Sequence, residues 1–496
     1  MILGWGLLTS AYGTLLAISP VGAIRSYDRT GLILVRTISL IILAAILFEV
    51  NTLTYMPSLS HMTESACVFL DGTIKCSSTS TYLIIFIMSL ALIIMQLGAE
   101  GATGTLTSRI SGEVFLVMLT NLVAITYVLV AIDWLVTVVA WELFNLSLYL
   151  LVSMHRTAHS QEISLSSSVK YFLLSAYTTT FLLLSIALLY GLTGTTSYDG
   201  LIMIVQTGEL SLWPFYLMMF TFLFKLGAAP LHSWAPDLYD SLPPYITLWL
   251  LVVPKTAVLF LLLQLAPALS GALVITGESL GLEGMDGSVL QGTIYNLFLL
   301  FGVSSMVIGS IGLSSQWRMR RFLAYSSIAN LGFILTVIES APVTYYYITI
   351  YMITTLIVFM IILSISVENG INIDRIDQLS GLHTRNPGLA YALAICFFSL
   401  AGTPPLIGFY PKLAVITMLL NNANYAVLIV LVIASVLSAC NYLSVIITIH
   451  LDKPTYYEEL KISYRNALMI SVGIGLIIVG GVYESTNVLG VYPFIG

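Results

Sequence analysis

Apolar stretches of roughly 20 residues recur along the whole chain, separated by short polar loops, and each is long enough to cross about 30 Å of hydrocarbon as a helix. The pattern predicts fourteen spans, at about 3–20, 31–50, 81–98, 112–131, 133–154, 170–192, 211–231, 245–268, 289–312, 321–340, 343–366, 388–419, 424–450 and 466–484. No hydrophilic block between them is large enough for a soluble domain. The first apolar run has neither a basic leader nor a convincing cleavage site, so it reads as a retained span and not as a signal peptide. The expected fold class is an all-α polytopic membrane protein.

Composition agrees. Of 496 residues, 58% are hydrophobic and only 8% charged, with a mean hydropathy of +0.97; a soluble chain of this length needs far more charge to cover its surface. The charges also orient the chain. With the N-terminus outside, fourteen of the eighteen Lys and Arg residues fall in or beside the inner loops, and Lys75 alone lies in an outer one. A wrong span count would scramble that asymmetry, so the positive-inside rule supports fourteen spans with both termini on the outer side. The three remaining cations, Lys225, Lys255 and Lys412, fall within predicted spans.

Cysteine and histidine add little chemistry. Cys67 and Cys76 share one outer loop, CVFLDGTIKC, where the sequence leaves a disulfide open; Cys396 and Cys440 stand alone in apolar stretches. No iron–sulfur, zinc or haem-attachment spacing is present, the six histidines have no recurring ligand spacing, and there is no glycine-rich phosphate loop. No cofactor or metal is therefore expected on this chain, and any redox chemistry belongs to another.

Two spans are interrupted. The seventh contains GAAPL, with Gly227 and Pro230, and the twelfth contains GTPPL, with Gly402, Pro404 and Pro405. Lys225 lies just before the first break and Lys412 just after the second. Proline removes a backbone donor and glycine loosens the helix; such backbone is tolerated at membrane depth only where protein or a wet cavity satisfies it. The breaks lie five spans apart. An odd offset means that the second copy runs through the membrane in the opposite sense, which predicts an inverted repeat of spans 4–8 against spans 9–13 with discontinuous helices 7 and 12. The corresponding segments are a three-helix region over 1–111, repeats over 112–268 and 289–450, and a terminal helix and tail over 466–496. The plainer alternative is a pair of packing kinks.

Lys255 lies about eleven residues into its span, roughly 16 Å deep, beyond the reach of a snorkelling side chain. Glu142, about ten residues into the fifth span, is the acidic residue placed deep in a span. Intramembrane ionisable groups are functional-site candidates, with a structural ion pair as the alternative. His232 follows the first break and is an auxiliary candidate for proton relay, or a helix cap.

The segments FKLGAAPLHSWAPDLYD, VPKTAVL, RRFLAYSSIANLGFIL and FSLAGTPPLIGFYPK resemble the antiporter-like subunits of proton-pumping NADH:quinone oxidoreductase, in order from about Trp141 to Lys412. That resemblance implies a fourteen-helix core in which Glu142, Lys225, Lys255 and Lys412 occupy the proton-relay positions. It also implies that NADH, FMN, iron–sulfur clusters and ubiquinone are bound by other subunits, and that the partners are membrane-arm subunits, sister antiporter-like chains among them, with bound lipids and no nucleic acid. The implied location is the mitochondrial inner membrane with both termini in the intermembrane space, or else a bacterial plasma membrane.

A carboxylate about 4 Å from a lysine contributes roughly 4 kcal/mol at an effective dielectric of 20. Moving one charge across 100 mV costs about 2.3 kcal/mol. Making and breaking one Glu142–Lys225 contact is thus commensurate with lifting a proton against the membrane potential, with Lys255 as central relay and Lys412 exchanging with a bulk phase. The rival readings are a secondary cation/proton antiporter subunit and a purely structural membrane subunit.

Overall fold

The computed structural model describes residues 37–47, 49, 67–69, 72–103, 112–154, 161–198, 213–279, 287–369, 373–453 and 464–489. The first predicted span, and all of the second outside Thr37–Leu47 and Glu49, lie outside the described residues.

The described chain is helical apart from one small hairpin. In order it forms α1 (Thr37–Leu47), β1 (Cys67–Phe69), β2 (Ile74–Cys76), α2 (Ser78–Thr103), α3 (Gly112–Val130), α4 (Trp134–Ser153) and α5 (Gln161–Thr193). Then come α6 (Trp213–Leu226), α7 (Trp234–Ser241), α8 (Pro244–Ser279), α9 (Gly287–Ser314), α10 (Met319–Thr336) and α11 (Ala341–Asn369). The last four are α12 (Pro387–Ala401), α13 (Phe409–Asn421), α14 (Tyr425–His450) and α15 (Tyr464–Leu489). Among the described residues, nine helices are long and apolar enough to cross a membrane. Three of the shorter apolar helices, α6, α12 and α13, are the pieces into which the two glycine–proline breaks divide their predicted spans.

The chain divides into two compact units, one of 1–226 with 253–294, the other of 227–252 with 295–496. In the first, α3 packs on α4, α4 on α5 and α5 on α6. Asp133 starts α4 by accepting a hydrogen bond from the backbone N–H of Leu135, a side-chain cap on one of the orphan donors of the first turn. It also accepts from Thr196 Oγ1 at 3.2 Å. On α4 the exposed residues Leu135, Val139, Leu143, Leu146 and Leu150 recur every three or four positions, whereas Asn145, Ser147 and Thr137 are buried. An apolar face turned outward and polar groups turned inward suit a hydrocarbon surrounding.

In the second unit, α11 packs on α12, α13 and α15, and most of its apolar length is buried. Helices α9 and α10 approach closely through glycine: a Cβ on Gly309 would stand 2.5 Å from the backbone nitrogen of Ala329, and one on Gly332 would stand 2.7 Å from that of Met306. Small residues at the crossing let backbones meet in the absence of a hydrophobic driving force.

The arginines of WRMRRF, residues 317–322, form a cluster of ion pairs. Arg321 binds Asp237 at 3.0 Å and Asp240 at 3.2 Å, Arg318 also binds Asp240, and Arg320 joins Asp374 and the Leu242 carbonyl. They hold α7, the short helix that follows the first break, against the start of α10.

Candidate functional site

Helix α6 ends with Lys225 in its last turn. Gly227 then adopts a φ of 73°, a left-handed conformation that glycine takes without penalty, and the Ala229–Pro230 bond is cis. The freed backbone of Ala229 is satisfied by two serines of α9: its N–H donates to Ser305 Oγ at 2.9 Å, and its carbonyl accepts from Ser304 Oγ at 2.7 Å. That serine pair carried no obvious signal in the sequence. Only the need of a buried break for side-chain partners explains it.

The second break has the same ingredients. Gly402 has a φ of 83° and Pro404–Pro405 is cis. Gly402 N–H donates to the Phe398 and Ser399 carbonyls, closing α12 in a left-handed cap. The broken stretch lies against two glycines of α15: a Cβ on Gly481 would fall 2.1 Å from the Pro405 carbonyl oxygen, and one on Gly480 would press on Ile407. The Gly-Gly pair of the last span is thus room made for the interrupted twelfth.

All three intramembrane lysines are buried, Lys225 at 6% exposure, Lys255 at 3% and Lys412 at 8%. Lys225 Nζ donates to Asn145 Oδ1 at 2.5 Å, Tyr171 Oη at 2.8 Å and Ser175 Oγ at 3.3 Å. It also lies 5.1 Å from the ring centres of Phe144 and Tyr171, within cation–π range. Glu142 sits one turn before Asn145 on α4 and is partly exposed. Among the described residues it forms no ion pair with Lys225. The expected direct contact is therefore absent from this state: neutral acceptors hold the ammonium, and the carboxylate stands off.

Lys255 lies on α8, within a stretch from Pro244 to Leu263 that is buried throughout. Lys412, in the first turn of α13, reaches back across the break and donates to the carbonyls of Leu400 and Ala401 at 2.8 and 2.9 Å. A cation at the C-terminal end of α12 meets both the helix dipole and its unpaired carbonyls. Beside it lies a cavity of about 20 Å³, enough for about one water, lined in part by Asn330, Tyr347, Tyr351, Thr354 and Ser399. Tyr347 Oη donates to Asn330 Oδ1 at 3.0 Å, whereas Tyr351 Oη and Ser399 Oγ are buried without a hydrogen-bond partner. A polar pocket with donors to spare fits water. His232 occupies the turn after the first break, its ring 6.3 Å from that of Tyr325.

Lysines buried beside interrupted helices in a multi-pass helical chain define a membrane transporter type of protein. Residues 131–438, more than half of the chain, match the family described as NADH:quinone oxidoreductase/Mrp antiporter, TM, and the chain belongs to that family. Relatives include NADH-ubiquinone oxidoreductase chain 2 of Rhizopus oryzae, 35% identical over 63% of this chain and 58% of that one, so the match spans less than two thirds of the Rhizopus protein. NADH-quinone oxidoreductase subunit N of Nitrosomonas europaea is 32% identical over 71% of each chain. Two solved structures share the fold. A chain of respiratory complex I from Thermus thermophilus has a TM-score of 0.72 at 22% identity, over 98% of each chain. A chain of the Mrp complex from Dietzia has a TM-score of 0.74 at 17% identity, over 97% of this chain and 94% of that one.

Proposed function

We propose that this chain is a proton-translocating, antiporter-like membrane-arm subunit of a proton-pumping NADH:quinone oxidoreductase, of the kind called chain 2 or subunit N in its relatives. The observation that carries the reading is the set of three lysines, each no more than 8% exposed, inside apolar helices of which two are broken beside the charge. In this reading the fourteen helices include inverted repeats over 112–268 and 289–450. Glu142, Lys225, Lys255 and Lys412 form the relay, and water near the breaks joins groups too far apart for direct transfer. His232 is an auxiliary group. NADH, FMN, iron–sulfur clusters and ubiquinone reside on partner subunits, whose quinone chemistry supplies the energy. Both termini face the outer side of an energy-coupling membrane, the mitochondrial inner membrane or a bacterial plasma membrane, and lipids cover the exposed apolar faces.

Glu142 is proposed to act by distance. With the carboxylate apart, Lys225 is held by neutral acceptors only; with it close, roughly 4 kcal/mol at an effective dielectric of 20 favours the protonated lysine. Glu142→Gln keeps the shape and removes this control. The expected result is an assembled complex whose proton transport falls at least about tenfold, measured in proteoliposomes during NADH oxidation; a fully active variant removes Glu142 from the relay. Purification of the chain with flavin and iron–sulfur proteins supports the respiratory assignment, whereas purification without them favours a secondary cation/proton antiporter.

The register of the hairpin pairs Cys67 directly with Cys76, and directly opposed residues of an antiparallel pair are neighbours across the ladder. We propose that they form a disulfide on the outer side. Alkylation of both thiols in the unfolded chain should then require prior reduction; labelling of Cys67 and Cys76 without reductant, read by peptide mapping, refutes the pairing.

A further inference from the structure

Two imidazoles meet at one end of α12 and α14. His383 belongs to the single helical turn Leu382–Arg385 that precedes α12, and His450 is the last residue of α14. Their ring centres are 5.5 Å apart, and the ring of Tyr391 stands 5.4 Å from one and 5.6 Å from the other. Two imidazoles on one tetrahedral zinc ion, with Zn–N bonds of about 2.1 Å, hold their ring centres about 5 Å apart. The ring-centre separation of the pair is thus close to that of two imidazoles sharing one ion.

The nitrogens are suited to the task. His450 Nδ1 lies 3.2 Å from the Ile446 carbonyl. A carbonyl only accepts, so Nδ1 carries the hydrogen and Nε2 keeps its lone pair, the arrangement in which a backbone oxygen orients a metal-binding imidazole. His383 Nδ1 is buried and has no hydrogen-bond partner, a cost that native structures seldom leave standing. Both rings are partly exposed and Tyr391 is 53% exposed, so an ion has a way in.

We propose that His383 and His450 bind a divalent transition-metal ion of the zinc or copper(II) class, with two ligands from the protein and the rest from water. Imidazole suits these ions, whereas magnesium and calcium demand oxygen. An ion bound here ties the start of α12 to the end of α14. Because α12 carries at its other end the Leu400 and Ala401 carbonyls that hold Lys412, the site lies on the element that positions that lysine.

The test is a zinc titration of the purified, chelator-stripped membrane complex containing this chain, with bound metal counted after desalting. H383Q/H450Q should lose one zinc ion per chain while any sites on other subunits remain. H450Q alone should weaken that site by more than about 100-fold, since even the loss of an outer-shell partner costs about 10–100-fold. H450C, which supplies another zinc ligand, should restore it, and excess magnesium should not displace the ion. Should the double variant fail to assemble, H383Q alone is read by copper(II) electron paramagnetic resonance, where one coupled imidazole nitrogen should replace two. Unchanged zinc content and affinity in H383Q/H450Q, or an unchanged copper spectrum in H383Q, overturns the proposal.

Discussion

Lys255→Met should leave the membrane complex assembled and abolish its coupled proton transport. The side chain is 3% exposed in a stretch of α8 that is buried throughout, and methionine is unbranched and adaptable enough to fill the same space. Methionine also carries no charge to desolvate, and assembly is checked directly by the amount of intact complex recovered. What it loses is the ability to take up and release a proton midway along the chain. Lys255→Arg sharpens the test. Arginine retains the positive charge and the hydrogen-bonding capacity, but its guanidinium does not give up a proton in a protein. If Lys255 is a structural cation, arginine restores function. If it is a relay, arginine fails as completely as methionine. The measurement is the ratio of protons moved to electrons passed in proteoliposomes, and an unchanged ratio in both variants removes Lys255 from the mechanism.

The helices and their breaks were legible in the sequence because both depend on local chemistry. Apolar length marks a span, and the predicted run 424–450 is observed as Tyr425–His450, the run 112–131 as Gly112–Val130. Glycine and proline beside a buried lysine marked the two interruptions, and Gly227 and Gly402 do adopt left-handed backbone there. The partners of the lysines were not legible. Asn145 lies 80 positions from Lys225, and Ser305 lies 76 from Ala229; which polar side chain of a mostly apolar helix turns inward is decided by packing, not by hydropathy. The same holds for Gly480 and Gly481, which are needed only because another segment presses on them. Glu142 was legible as an acidic residue deep in a predicted span, and it lies on α4, the helix that also carries Asn145. Whether its carboxylate pairs with Lys225 is decided by packing, and no sequence rule fixes such a contact.

Lys412 combines two roles that substitution should separate. Its ammonium closes the end of α12 through the Leu400 and Ala401 carbonyls and borders the small polar cavity. Lys412→Met removes both donors. A buried acceptor left unpaired costs about 1–3 kcal/mol, and the loss of a cation at a helix C-terminus adds about 0.3–1 kcal/mol; water in the cavity can offset part of this. The expected result is a less heat-stable complex with proton transport reduced at least about tenfold. Lys412→Gln keeps an amide donor, one bond shorter than the ammonium, that is directed at the same carbonyls but carries no proton that it can release at neutral pH. It should therefore recover much of the stability and none of the transport. A glutamine variant that regains both would make Lys412 a helix cap and nothing more; one that regains stability alone assigns the proton to the ammonium, because the break would then be intact and only the exchangeable charge missing.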